Sequence, residues 1–154
     1  MKPMEKISEL GMELPSPPKV AGLYKPVIID RGILYFSGHL PILFDGSLIT
    51  GKVGRDLSVY AGKQAARQVG LNILSSVKQA LGSLDRVASV FKLLGMVNAT
   101  EEFTQHPQII NGCSELFKEI WGDDMGVGVR SAYGVSGLPA GVPVEIEGAF
   151  KLTD

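Results

Sequence analysis

Apolar and polar positions change rhythm several times along the chain, and each rhythm predicts an element. Val27 to Ile29 and Ile33 to Phe36 flank Asp30-Arg31-Gly32, where glycine in a short turn supplies a positive φ, so a hairpin is expected. A third short strand is expected around Leu48 to Thr50, after Asp45-Gly46. From Ser58, a suitable N-cap, the residues Gly62, Ala66, Val69, Ile73, Val77 and Leu81 recur at spacings of three and four. That is the stripe of an amphipathic helix, which Gly82 would end. Its small end, Gly62, Ala66 and the neighbouring Gly70, suits close approach to a sheet at some cost in helix propensity. Val87 to Val97 is apolar on both alternating faces apart from Ser89 and Lys92, as a central strand would be with a helix on one side and another subunit on the other. Pro107 opens a second helix with Ile109, Cys113, Leu116 and Ile120 on one face and Gly122 closing it.

Gly126 to Lys151 reads as two more strands joined by a turn rich in glycine and proline. On the first arm Val129, Ser131, Tyr133 and Val135 alternate with Arg130, Ala132 and Gly134, so the guanidinium has small neighbours on its own face. On the second, Val144, Ile146 and Ala149 alternate imperfectly with Glu145, Glu147 and Gly148. If the arms form a hairpin in which Val135 and Val142 are the last pair, Ala132 stands opposite Glu145 and Arg130 lies diagonally across on the same face. A slip of one residue would send Glu145 to the other face. Such a pattern fits an ordinary, weakly stabilising ion pair as well as a charged pocket. The order is βββαβαββ, an α+β sandwich with two helices on one face of a mixed sheet.

The first 18 residues carry Ile7 and Leu10 among Glu5, Lys6 and Glu9 and end in PSPP, which cannot continue a helix. They read as an ordered leader within a single domain, residues 1–154. Fifteen Lys and Arg against sixteen Asp and Glu give a net charge of -1, without the basic excess that phosphate backbones reward, so nucleic acid is not expected as a main partner. The single Cys113 forms no intrachain disulfide, and with His39 and His106 far apart in sequence no metal site is expected. Cys113 falls on the helix stripe and is read as core. Charges interrupt any N-terminal signal, and no apolar run approaches the roughly 20 residues that span a bilayer. A cytoplasmic, reducing location is expected. GSLITGKV, residues 46–53, approaches a phosphate loop, but Val53 replaces the hydroxyl residue and no helix starts there. Ser136 in GVSGL is one glycine short of a nucleophile elbow.

VRSAYGVSGLPAGVPVEIEGAF, residues 129–150, resembles the signature of the YjgF/RidA family of reactive imine and enamine deaminases, once described as L-PSP endoribonucleases. The resemblance extends through YKPVIIDRGILYFSGHLP at 24–41, VFKLLGMVNAT at 90–100 and NGCSELFKEIWG at 111–122. The LGMELPSPP leader and the GKVGRDLSVYAGKQAARQVGLNIL segment are more similar to a longer-chain branch than to the compact deaminases. The resemblance implies a chorismate-mutase-like fold, a homotrimer whose sheets pack into a barrel, and ligand sites between subunits. It implies that Arg130 clamps the carboxylate of a 2-imino or enamine acid, for which a planar guanidinium is suited, and that Glu145 holds the attacking water. Tyr24, Ser37, Gly38 and Asn111 would line the cleft. Ala132 stands where compact deaminases carry cysteine and would offer a backbone contact. His39 stands where many members have glutamine, so contact with ligand and exposure to solvent are both open. The implied chemistry, addition of water to C=N and release of ammonia with a 2-keto acid, needs no cofactor. The alternative is a trimeric sensor or carrier of small carboxylates that uses Arg130 without Glu145; a ribonuclease or translation inhibitor fits the charge less well.

Overall fold

The computed structural model describes residues 1–154. Its elements are α1 (Pro3–Glu9), β1 (Val27–Asp30), β2 (Ile33–His39), α2 (Val59–Leu81), β3 (Val87–Asn98), α3 (His106–Met125), β4 (Val129–Val135) and β5 (Val144–Leu152). The β1–β2 hairpin forms as expected, with Asp30 paired to Ile33 across a two-residue turn. Arg31 and Gly32 both take positive φ there, 50° and 78°, matching the twist of antiparallel strands. Ser58 caps α2 by accepting from the Ala61 amide at 3.1 Å, and Gly82, at φ 82°, ends it. The α2 stripe is fully buried at Ala66, Val69, Ile73 and Val77, each larger side chain contributing about 1.5–3 kcal/mol. The second helix breaks at Gly122 as expected, where φ is 88°, and a further short helical turn follows to Met125.

Two expectations fail. Leu48 to Thr50 forms no sheet strand; only an isolated bridge joins Leu48 to Ile42, because Asp45 turns the segment back on itself through bonds to Ser47. The sheet therefore has five strands in the order β1-β2-β5-β3-β4. The two arms of the C-terminal stretch also do not pair. β3 lies between them, parallel to β4 and antiparallel to β5. A strand apolar on both faces gains most at the centre of the sheet, and α3 supplies the crossover that a parallel neighbour requires. The chain leaving β4 is fixed over the end of β3 by Asn98, whose amide donates to the Pro143 carbonyl at 2.8 Å and whose side chain donates to the Val142 carbonyl at 3.2 Å.

Both long helices cover one sheet face, where Leu34, Phe36, Leu93, Val97, Ile146 and Phe150 are buried. The opposite face is bare. Ile28, Tyr35, Phe91, Val129 and Tyr133 remain 43–68% exposed there or at its edges. The leader is ordered: Ile7 of α1 is 5% exposed and belongs to the core, the Met4 amide donates to Asp85 Oδ1 at 2.9 Å, and Ser75 of α2 donates to the Pro15 carbonyl. Leu10 stays exposed. No helix is long and apolar enough to cross a membrane.

Candidate active site

The strand order decides which functional side chains can meet. Residues aligned across neighbouring strands project to the same face, and the register forms rows Arg130–Leu93–Gly148, Ala132–Gly95–Ile146 and Tyr133–Met96–Glu145. Leu93 and Ile146 are buried beneath the helices, and Gly95 lies hard against Ile110 of α3. Arg130 and Ala132 thus face the helices, whereas Glu145 faces the bare side. The same-face pairing expected from the hairpin is wrong by one residue of parity: Tyr133, not Ala132, shares the row of Glu145. The strands carrying Arg130 and Glu145 are also about 10 Å apart, with β3 between them.

The seven expected site residues therefore separate into two candidate half-sites. The first lies along edge strand β4 and α3. Arg130 Nη1 donates to Ser114 Oγ at 2.9 Å, and Nη2 donates to the Pro107 carbonyl at 3.4 Å. Asn111, Ser114, Glu115 and Lys118 line a groove of about 340 Å³ with it. No carboxylate pairs with Arg130, so its planar donors are held in place by neutral partners. Ala132 is partly buried and packs against the core. Ser114 was missed from the sequence, although it stands one helical turn from Asn111 and shares its side of α3.

The second half-site gathers Glu145, Gly38, Ser37 and Tyr24. The β2–β5 register shifts between Phe36 and His39, leaving Ser37 and Gly38 in a bulge that re-aims the strand. Ser37 donates its hydroxyl to the Lys25 carbonyl and its amide to the Pro26 carbonyl at 2.9 Å, binding the bulge to the preceding segment. The Glu145 carboxylate lies directly over Gly38, in space that any side chain there would occupy. Burial, with Glu147 as a lesser cause, raises the Glu145 pKa above the ordinary glutamate value. Tyr24 is half exposed, and its hydroxyl accepts from the Ala21 amide at 3.5 Å. With Gly38, Ser76 and leader residues Pro18 to Ala21 it encloses a cavity of about 270 Å³. The leader's part in this wall was not legible in the sequence.

His39 is not solvent-facing, but it lines the cavity beside Tyr24 and Gly38. It is 5% exposed, with Nδ1 2.6 Å from the Ser37 carbonyl and Nε2 2.8 Å from Ser76 Oγ. The carbonyl can only accept, so Nδ1 carries the proton and Nε2 accepts from the serine. Burial lowers its pKa, with the Ser37 bond opposing, and the ring is a neutral brace between the bulge and α2. Cys113 is buried, and burial pushes its thiol well above the ordinary cysteine range. It is core, as expected.

A family model described as "YjgF/chorismate_mutase-like, putative endoribonuclease" matches residues 5–140. Protein TCP17 of Trypanosoma cruzi is 36% identical over 148 residues, which span 96% of this chain and 92% of that protein. The structure superposes on a "putative endoribonuclease" from Shewanella oneidensis with a TM-score of 0.93 at 30% identity, covering 99% of this chain and all (100%) of the other. RidA from the Antarctic bacterium Psychrobacter sp. PAMC 21119 gives 0.61 at 25% identity, covering 89% and 94%. By the extent of the match and by its fold, the chain belongs to the YjgF/chorismate-mutase-like family, which includes RidA.

Proposed function

We propose that this protein is a hydrolytic deaminase of 2-imino and enamine acids, producing 2-keto acids and ammonia, and that it works as a homotrimer with each site between two subunits. The observation that carries the reading is the division of the site residues into two half-sites on opposite faces of one chain. A carboxylate held by Arg130 and a water held by Glu145 belong together chemically, and two copies are needed to bring them together. The bare apolar face with Phe91 and Tyr133 favours such an assembly, since its burial from water is worth about 25 cal/mol per Å².

In this reading Arg130 takes the substrate carboxylate through paired N–H donors, and Asn111 and Ser114 shape the groove around it. Glu145, with its pKa raised, removes a proton from water as the oxygen bonds to the imine carbon and the C=N electron pair moves to nitrogen. The nitrogen gains a proton to give the neutral carbinolamine. Protonated again, it leaves as ammonia while the hydroxyl proton returns to the base and the C=O bond forms. Each water addition yields one 2-keto acid and one ammonia.

A coupled assay in which a dehydratase generates 2-aminoacrylate, with keto-acid release followed, tests this. Glu145→Gln keeps shape but removes the base, and should lower turnover about 100-fold or more while pyruvate binding stays within about twofold. Equal, background-level rates for the wild type and the variant, with pyruvate bound alike, would make the protein a carboxylate binder. A rate above background that Glu145→Gln leaves unchanged would refute the mechanism.

A further inference from the structure

A cavity of about 700 Å³ belongs to neither half-site. It lies outside the carboxyl ends of the parallel strands β3 and β4, bounded by Ala99 and Thr100 on one side and Gly134 to Ser136 on the other. Crevices at that end of parallel strands are where α/β sheets bind ligands, and the volume falls within the roughly 300–1,000 Å³ of small-molecule sites. Ser136 is six residues along β4 from Arg130, about 20 Å of extended chain.

Lys52, the lysine of GSLITGKV, enters this cavity with Arg55, His106 and Phe103, and Glu101 stands among the lining residues. Its ammonium donates to Asn98 Oδ1 at 2.7 Å and to the Ser136 carbonyl at 3.1 Å. The Asn98 amide group is itself oriented by its bond to Val142. An ammonium has three donors. Two are spent on neutral oxygens, the third has no protein partner, and no carboxylate lies within ion-pair distance of Lys52. Asp56, the nearest acid in sequence, is engaged with the Arg55 guanidinium at 2.9 Å and with the Lys52 amide at 2.8 Å. The result is a positive charge fixed by the fold, without an ion-pair partner and only partly offset by the neighbouring Asp56 carboxylate, opening on a cavity. Phe103 and His106, edge to face at 5.3 Å, add an aromatic surface beside it.

We infer that this cavity is a second ligand site, which takes a small metabolite through a phosphate or carboxylate head bound by Lys52, with Arg55 adding long-range attraction at the mouth. The anion receives the unspent ammonium proton, and the body of the ligand lies against Phe103 and His106. Glu101 is available to a hydroxyl or amino group of the ligand and disfavours a ligand with a second anionic end. The site needs no partner subunit and does not depend on the deaminase reading.

Titration of the intact ¹⁵N-labelled protein with inorganic phosphate, and separately with propionate, at constant ionic strength tests this. The expected result is saturable shifts at Thr100 and at Gly134 to Ser136 with at least one probe; the probe that saturates identifies the head group. Lys52→Met should raise Kd about 10-fold or more, the scale of a lost charge-assisted hydrogen bond, while Arg130→Ala leaves the shifts at these residues in place. Because Lys52 also ties the loop to Asn98, Arg55→Gln provides a variant at a largely exposed position and should raise Kd about threefold at low salt. Absence of saturable shifts with both probes, retention of wild-type affinity in a folded Lys52→Met, or, should that variant fail to fold, retention in Arg55→Gln, would overturn the proposal.

Discussion

Gly38→Ala tests the placement of Glu145 more sharply than a change to the glutamate itself. A methyl at Gly38 would overlap the Glu145 carboxylate oxygen and stand 2.9 Å from Cδ and 3.2 Å from Cγ. Carbon atoms settle about 3.5–4.0 Å apart, so the carboxyl group must retreat by about 1 Å. The obstructed atoms are the end of a flexible, half-exposed side chain, and Gly38 does not use positive φ. Overpacking costs of about 1–3 kcal/mol in a rigid core are relieved here by rotation of Glu145, and replacing glycine returns about 0.4–1 kcal/mol through the unfolded chain. The net change should lie within about 1 kcal/mol, a Tm shift of no more than about 4 °C at this chain length. Turnover in the coupled assay should nonetheless fall about 100-fold, the scale of a 1 Å misplacement. Gly112→Ala is the contrasting control. There a methyl would collide with the Lys63 carbonyl oxygen and stand 2.9 Å from its carbon and 3.1 Å from the Arg67 amide, all backbone of α2. Nothing can rotate away, and a loss above about 3 kcal/mol, read as a lower denaturant midpoint, is expected. Full turnover in a folded Gly38→Ala would refute the claim that the carboxylate acts from above Gly38. A Tm loss in Gly38→Ala as large as in Gly112→Ala would refute the claim that only a mobile side chain is in the way.

His39 should make the fold sensitive to mild acid. Its folded pKa lies below the ordinary histidine value, about 6.5, so the unfolded chain binds more protons, and its contribution is lost as pH falls from about 6.5 through the folded value. Thermal melts should show a smaller drop between pH 7 and pH 5 for His39→Gln, which keeps one donor and one acceptor, than for the wild type; parallel curves would refute the buried neutral brace. Glu145 acts in the opposite sense. Its raised pKa means the folded state binds more protons, so its ionisation costs stability as pH rises from about 4.3 through the folded value. Glu145→Gln should be more stable than the wild type at pH 7 and lose that advantage below pH 4; no difference at either pH would show that burial does not strain the carboxylate.

The local elements were legible in the sequence because local physics specifies them. Ser58 and Gly82 bound α2 through a side-chain cap and a left-handed stop, Arg31-Gly32 makes the two-residue turn, and the two-faced apolar run of β3 marked it as central. Leu48 to Thr50 looked like a strand, yet the preceding Asp45 turn closes too tightly for a sheet partner to form. What composition and periodicity could not supply was the order of strands. Adjacent arms suggest a hairpin, but β3 has edges to satisfy on both sides and takes β4 and β5 as separate neighbours, an arrangement governed by contacts distant in sequence. A single step of parity follows, and it moves Glu145 to the face opposite Arg130. The candidate site residues could thus be named one by one, as expectations, from their types and from the family signature. Their division into two half-sites, the bracing of His39 and the lone ammonium of Lys52 were decided by tertiary structure, because each depends on which backbone a distant segment brings alongside.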